Sequence, residues 1–305
     1  MFVQTYRRTG SSLLQNILTI DVEEYFHPSE VGGRISHLDW CTLPSRVDAQ
    51  TSVLLDLLDQ YAIKGTFFVL GWVAHRNPSL VRKIVARGHE IGCHSFAHSL
   101  VYDLSPEEFR ADTVKAVKAI SDAAGVTPLL YRAPSYSITG KSFWALDVLR
   151  QCGFTHDSSI YPISHDRYGI PGFQRYPHSV CTPSGPIYEV PIATVRVAGS
   201  VLPVGGGGYL RLLPSRYTAA GIRRMNTEGQ PACIYLHPWE IDPEQPRIIN
   251  GLIARTRTYT GLRGMTGKLI RLLREFRFAP MTQVHPAPSI GSPIPRDVST
   301  ATATG

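Results

Sequence analysis

No CxxC pair occurs in this sequence. Its five cysteines, at 41, 93, 152, 181 and 233, are odd in number and widely spaced, which argues against a disulfide framework and for reduced thiols. Cys93, Cys152 and Cys233 fall in apolar runs and read as small core residues. No apolar run approaches the ~20 residues of a membrane span, and residues 1–16 lack the apolar stretch of about 7–15 residues that a secretory signal requires. The resulting expectation is a cytoplasmic protein without a transmembrane segment. No GxGxxG or Walker loop follows the first predicted strand, so nothing marks a nucleotide site there. The four glycines Gly205–Gly208 lack the spacing and helix start of a phosphate loop and read as a tight, pliable loop. The net charge of +7 comes from scattered Lys and Arg residues without a nucleic-acid motif, which sets nucleic acid aside. It leaves a mildly basic surface, suited at most to a phospholipid or a pyrophosphate-linked glycan.

What is present is an ordinary globular composition, 43% hydrophobic and 18% charged over 305 residues, enough for a full core. Residues 1–15 are polar and read as a flexible N-terminus. From about Pro280 the chain turns to Pro, Ser, Thr and Ala, and 282–305 reads as a disordered tail. Between them, 16–281 reads as one domain. Ile17–Ile20 is strand-like. Leu54, Leu57, Leu58 and Tyr61, at i, i+3, i+4 and i+7, predict a helix over 47–61. Thr66–Leu70 is a strand, Asn77-Pro78 opens a helix that Gly88 stops, and His89–Cys93 is a third strand. Ser105-Pro106-Glu107-Glu108 is a capping box opening a helix to about Ala124. Leu129–Arg132 and Phe154–Asp157 are strand-like on either side of a helical stretch, Lys141–Cys152. Ile187–Val190, a helix after Pro214-Ser215, the strand Ala232–Leu236 and a basic helix near Gly261–Phe276 complete the pattern. Strands alternating with helices imply parallel pairing through crossovers. Six or seven such units suggest an α/β fold closed into a distorted (β/α)7–8 barrel, with an open doubly wound sheet as the rival.

The predicted strands end in ionisable residues where turns ordinarily supply Gly, Asn or Pro. His94-Ser95-Phe96-Ala97-His98 follows the third strand; two histidines at i and i+4 share one face of a helical turn and can reach one divalent metal. Ser95 stands where a zinc protease carries its catalytic Glu, so the motif is not HExxH. Asp21-Val22-Glu23-Glu24 follows the first strand. A carboxylate is the natural third ligand, and alternation aims Asp21 and Glu23 the same way with Glu24 opposite. One acid can then hold the metal while the other takes a proton from water. Arg132, Asp157 and His237 close three further strands.

In this order, Thr19-Ile20-Asp21-Val22-Glu23, His94-Ser95-Phe96-Ala97-His98, Arg132-Ala133-Pro134, Asp157-Ser158-Ser159 and Ile234-Tyr235-Leu236-His237 resemble the five motifs of the polysaccharide deacetylase family with the NodB homology domain. Asp-Val-Glu-Glu-Tyr-Phe-His, GGGGYL and His237-Pro238-Trp239-Glu240 are most similar to its subgroup encoded beside bacterial exopolysaccharide export and protein-sorting loci, whose C-terminal extension would span about 240–281. The resemblance implies a NodB-type barrel that removes N-acetyl groups from a bacterial polysaccharide or its precursor, with a divalent metal, zinc by expectation. It makes Asp21 the general base and His94 and His98 metal ligands. Arg132 would orient Asp21, and His237 would be the general acid tuned by Asp157. The backbone N–H of Ser135 would be the oxyanion donor, with Tyr136 and Trp239 as candidate sugar-contacting aromatics. Most members carry a second adjacent aspartate as ligand; Val22 stands there, which passes that place to Glu23 or Glu24, alternation favouring Glu23. The implied partners are an N-acetylated glycan and, peripherally, an export machinery. Two other readings remain open: an amidase acting on a small cyclic amide or ureide, and a non-catalytic glycan-binding member of an export complex.

Overall fold

The computed structural model describes residues 14–28 and 35–286. Residues 1–13 of the segment expected to be flexible and 287–305 of the predicted tail lie outside the described residues, while Gln15 already belongs to the first strand. Eleven strands are formed by the described residues: β1 (Gln15–Val22), β2 (Thr66–Val69), β3 (Glu90–Cys93), β4 (Leu130–Tyr131), β5 (His156–Asp157), β6 (His178–Thr182), β7 (Gly185–Glu189), β8 (Thr194–Val197), β9 (Ser200–Pro203), β10 (Cys233–Leu236) and β11 (Arg277–Ala279). The helices are α1 (Val47–Gln60), α2 (Gly71–Arg76), α3 (Pro78–Ala86), α4 (Pro106–Ala124), α5 (Ala145–Gln151), α6 (Gly207–Leu212), α7 (Ser215–Thr227), α8 (Leu252–Tyr259), α9 (Leu262–Glu275) and α10 (Met281–Val284).

The main sheet runs β10-β1-β2-β3-β4-β5-β7-β6, with β11 pairing the start of β1; only β6 is antiparallel to its neighbour. The sheet curls into a distorted barrel, as the strand–helix alternation predicts. Its closure is made by irregular chain beyond β7. Val190 N–H donates to Asp157 O at 2.8 Å, Ile192 N–H to Ile160 O at 3.4 Å, and Ala193 N–H to Cys233 O at 3.0 Å, so this segment bridges from β5 to β10.

Alternation divides the side chains into two layers. Leu18, Ile20 and Val22 of β1 face the helices in the main core, while Ile17, Thr19 and Asp21 point into the barrel. Phe68, Leu130, Cys233 and Tyr235 fill that interior from other strands, and Tyr161 from the chain after β5. Met281 plugs the end opposite the site, and its N–H donates to Thr66 Oγ1 at 2.8 Å and to Glu90 Oε2 at 3.0 Å. His285 O accepts from His156 Nε2 at 2.9 Å, so the boundary expected at 281 falls inside packed structure.

Three features depart from the sequence reading. The helix expected over Lys141–Cys152 begins only at Ala145, because Ser142 Oγ donates to Ser137 O and accepts from Thr139 N–H, holding the chain in turns. The strands β6, β8, β9 and β11 have no counterpart in the sequence reading. The β8–β9 turn places Ala198 at φ 48° beside Gly199, and an alanine there gives no hairpin signal. The run Gly205–Gly208 is not a pliable loop: Gly207 opens α6, and a Cβ on Gly206 would lie 1.9 Å from Tyr235 O. There glycine permits direct backbone contact with β10.

Candidate active site

Glu23, His94, Arg132, Ser158 and His237 each stand at or just past the end of a parallel strand, β1, β3, β4, β5 and β10, at the end of the barrel where such folds place their chemistry. Of these, Glu23, His94 and His237 line a cavity of about 350 Å³ together with Asp21, His98, Ser135, Tyr136 and Trp239. Arg132 stands behind Asp21 and meets the cavity only through it, and Asp157 is not brought there.

Glu23, His94 and His98 offer one ligand atom each, all within 4.8 Å of one another. His98 Nε2 lies 2.6 Å and His94 Nε2 3.7 Å from Glu23 Oε2, yet this buried oxygen receives no hydrogen bond of acceptable direction. A buried carboxylate oxygen facing two ring nitrogens without a bond is a donor set suited to a cation. Neighbours orient two of the three side chains. His94 Nδ1 contacts Arg132 O at 2.8 Å; because a carbonyl only accepts, the proton sits on Nδ1 and the Nε2 lone pair faces Glu23. Trp239 Nε1 donates to Glu23 Oε1 at 3.0 Å, leaving Oε2 for the histidines. Burial opposes the charge on Glu23, but His98, His237 and His94 hold its pKa well below the ordinary value. Glu24 turns away: its carboxylate accepts from Ser45 Oγ and from Arg46 N–H at 3.0 Å, at the start of α1.

The histidine pair is not on a helical turn, as its spacing suggests. Ser95 and His98 adopt φ of 62° and 54°, conformations that cost a non-glycine residue about 1–3 kcal/mol and need surrounding support. Asp112 of α4 supplies it by accepting from Phe96 N–H at 2.7 Å and Ala97 N–H at 3.1 Å. The first amides of α2 complete it: Gly71 N–H donates to Ser95 O at 2.8 Å and Trp72 N–H to Phe96 O at 3.1 Å. Nothing in the local sequence announces Asp112.

Arg132 is fully buried. Its Nη1 donates to Asp21 Oδ1 at 2.8 Å and Thr19 Oγ1 at 2.6 Å; Nη2 donates to Ser158 Oγ at 2.8 Å and Nε to Ser158 O at 3.0 Å. Burial works against the guanidinium charge, but Asp21 raises its pKa above the ordinary value. The other oxygen of Asp21 faces the cavity, 3.9 Å from His237 Nε2.

His237 stands across the cavity with Nε2 3.7 Å from Glu23 Oε1. Its Nδ1 is 3.0 Å from Glu240 Oε2, and Trp239 stacks on the ring at a centroid distance of 5.0 Å. Burial favours the neutral ring, but Glu23, Glu240 and Asp21 push its pKa up to about 9. Glu240 is itself held by Arg211 Nε at 3.0 Å, and Arg211 also donates to Thr260 O at 2.8 Å and Arg257 O at 2.7 Å. The Pro238–Glu240 spacing after His237 carried the signal for Glu240, since Pro238 at the first position marks a helical turn whose N-cap, His237, forms a capping box with Glu240 at the third.

The expectation that Asp157 tunes His237 is corrected by strand alternation. Ser158 faces Arg132, which turns its neighbour Asp157 to the opposite side. There Asp157 accepts from Ser159 Oγ at 2.6 Å, and Ser159 Oγ accepts from Ala133 N–H at 2.8 Å, so Asp157 braces the Arg132–Tyr136 segment. Burial and the adjacent Asp157 raise the Glu189 pKa well above the ordinary value. Between the ordinary pKa and the raised one, unfolding releases a proton that the fold retains, and stability falls with rising pH. Glu189→Gln is expected to abolish that slope, up to about 1.4 kcal/mol per pH unit, as read from urea midpoints across the acid-to-neutral range.

Ser135 and Tyr136 reach the cavity through positive φ values of 51° and 55°. Tyr25 and Phe26, just past β1, are core residues with Trp40 and Trp239. His27 packs its ring 4.3 Å from Trp40 and accepts from Glu24 N–H at 3.1 Å.

Residues 41–156 match the family model "Polysaccharide deacetylase" and residues 158–286 match a "Domain of unknown function (DUF3473)". The first segment holds His94, His98 and Arg132, the second Arg211, His237 and Glu240, and both build one barrel. A peptidoglycan-N-acetylglucosamine deacetylase of Bacillus cereus is 29% identical over 147 residues, 44% of this chain and 52% of its own length. A chitooligosaccharide deacetylase of a Bradyrhizobium species is 36% identical over 100 residues, 32% of this chain and 43% of its own. The chain thus spans about half the length of these relatives. A structure described as a polysaccharide deacetylase from Pseudomonas aeruginosa superposes with a TM-score of 0.60 at 16% identity, covering 88% of each chain. Another so described, from Mycobacterium smegmatis, gives 0.59 at 20% identity over 90% of this chain and 91% of its own; both likenesses are of fold. Residues 41–156 thus carry the match to the polysaccharide deacetylase family, and the described chain shares the fold of the solved structures so described.

Proposed function

We propose that this protein hydrolyses N-acetyl groups on the amino sugars of a bacterial polysaccharide or its precursor, releasing acetate. The observation that carries the reading is the convergence of Glu23, His94 and His98 between Asp21 on one side and His237 on the other. The non-catalytic reading rested on Val22 in place of a ligand; the approach of Glu23 to both histidines supports the catalytic one.

Held by Glu23, His94 and His98, a divalent cation, zinc in this reading, supplies Lewis-acid charge that polarises an amide carbonyl and makes a water more acidic. Asp21, fixed through Oδ1 by Arg132, takes the proton of the attacking water on the oxygen that faces the cavity. The backbone N–H of Ser135 donates to the carbonyl oxygen as it gains charge, a contribution of about 3–4 kcal/mol for such donors. His237, kept protonated by its carboxylate neighbours, gives its Nε2 proton to the nitrogen as the carbon–nitrogen bond breaks, leaving acetate and a free amine. Tyr136 and Trp239 wall the sugar's place. Membership of the export-linked subgroup, and peripheral association with its machinery, rest on the sequence motifs.

Glu240→Gln removes a charge that keeps His237 protonated. The alkaline limb of kcat/KM is expected to move to lower pH, and the optimum to fall roughly 10- to 100-fold as the ring loses its orienting acceptor. A pH–rate profile of wild type and variant reads both. The reading itself is tested by acetate release from N-acetylglucosamine oligomers: turnover that requires added zinc supports it, and its absence at any metal loading removes it.

A further inference from the structure

We infer that α8 is a membrane-contacting element that sets the mouth of the cavity against an anionic lipid surface. Two turns long, α8 carries its aliphatic side chains on the outside. Leu252 and Ile253 are 81% and 72% exposed, while the side turned to the protein is formed by Ala254, the buried Thr258 and the half-buried Tyr259, which packs on the cluster of Tyr25, Phe26 and Trp40. A solvent-facing helix normally keeps its aliphatic side chains on the inward side. Single exposed aliphatics are common on protein surfaces, but here both large aliphatic residues of the helix lie side by side on its outer face.

The surroundings select the partner. On the helical wheel Arg255 and Arg257 flank the aliphatic face, and Arg247 and Arg263 are exposed just outside the helix. Residues 244–263 hold four arginines against one carboxylate, Glu244. Asp166 approaches Arg257 only at 4.0 Å and both side chains are about half exposed or more. An apolar patch ringed by cations suits the boundary between anionic headgroups and acyl chains. A second copy of the same face would oppose arginine with arginine.

Position gives the surface a purpose. Arg257 and Thr258 line the cavity, so the patch adjoins its rim. Arg211 bonds Arg257 O and Thr260 O at one end and Glu240 at the other, fixing α8 relative to His237. If the cavity hydrolyses N-acetyl groups, on which reading this last step rests, the substrate class reached from such a surface is an amino-sugar glycan still attached to lipid.

The test is flotation of the full chain with vesicles of phosphatidylcholine alone and of a three-to-one mixture with phosphatidylglycerol. The protein is expected to float with the mixture only, and less as salt rises. Leu252→Ser with Ile253→Ser should weaken binding more than about tenfold, and Arg255→Gln with Arg263→Gln should weaken it and flatten its salt dependence. Both double variants should release acetate from soluble oligomers as wild type does, which reports on the chemistry separately from flotation. Equal binding to both vesicles, no binding to either, or binding unchanged by the serine pair overturns the inference. So does a wild-type dimer that the serine pair splits, because a second copy would then cover the face.

Discussion

Asp21→Asn is expected to lower acetate release from N-acetylglucosamine oligomers by about 10²–10⁴-fold, the usual contribution of a general base, while zinc stays bound. The asparagine amide can still face Arg132, but it has no basic oxygen to take a proton. His94→Ala should be equally inactive for a different reason. It removes one of the two imidazoles that face Glu23 Oε2, so the zinc content of the purified protein should drop with the rate. Steady-state kinetics paired with metal analysis separates the two cases. If Asn at position 21 also emptied the site, Asp21 would be a ligand and the division of labour between the two acids would be wrong.

Arg132→Met should be the most destabilising single change at the site, by about 3–5 kcal/mol, because it removes the guanidinium that meets buried Asp21 at 2.8 Å and leaves only His237, at 3.9 Å, near that carboxylate. The guanidinium joins three strands, reaching Thr19 and Asp21 on β1 and Ser158 just past β5 from its own place after β4. Arg132→Lys should recover only part of the loss. An ammonium keeps the charge but cannot reproduce the planar fork that serves Asp21 and Ser158 together. Urea midpoints give the stability, and acetate release gives the activity. An Arg132→Met protein as stable as wild type would show that Asp21 is neutral in the fold.

The sequence made much of this centre legible because strand alternation is a strong constraint. Thr19, Asp21 and Glu23 had to share one face of β1, and the structure places Thr19 and Asp21 on Arg132 and Glu23 at the histidines. Alternation also favoured Glu23 over Glu24, and Glu24 serves the start of α1. The same rule, applied to Asp157-Ser158, would have turned Asp157 away once Ser158 was known to face inward. That fact depends on Arg132, 26 residues distant, and so was not local information. The histidine turn misled for a related reason. The i, i+4 spacing fits a helix, but the chain is held in left-handed conformations by Asp112 and the first amides of α2, contacts that exist only after α4 has packed. Arg211 was hidden for the same reason, with its carboxylate 29 residues away. The β8–β9 hairpin was missed because Ala198 occupies a position that usually advertises itself with Gly or Asn.

The most direct measurement is an anomalous difference map recorded at the zinc edge from crystals grown with zinc. The account places one strong peak in contact with Glu23, His94 and His98, with Asp21 and His237 beside it and Glu24 remote from it. A protein that takes up zinc with the peak elsewhere, or with Glu23 turned away from it, would contradict the account.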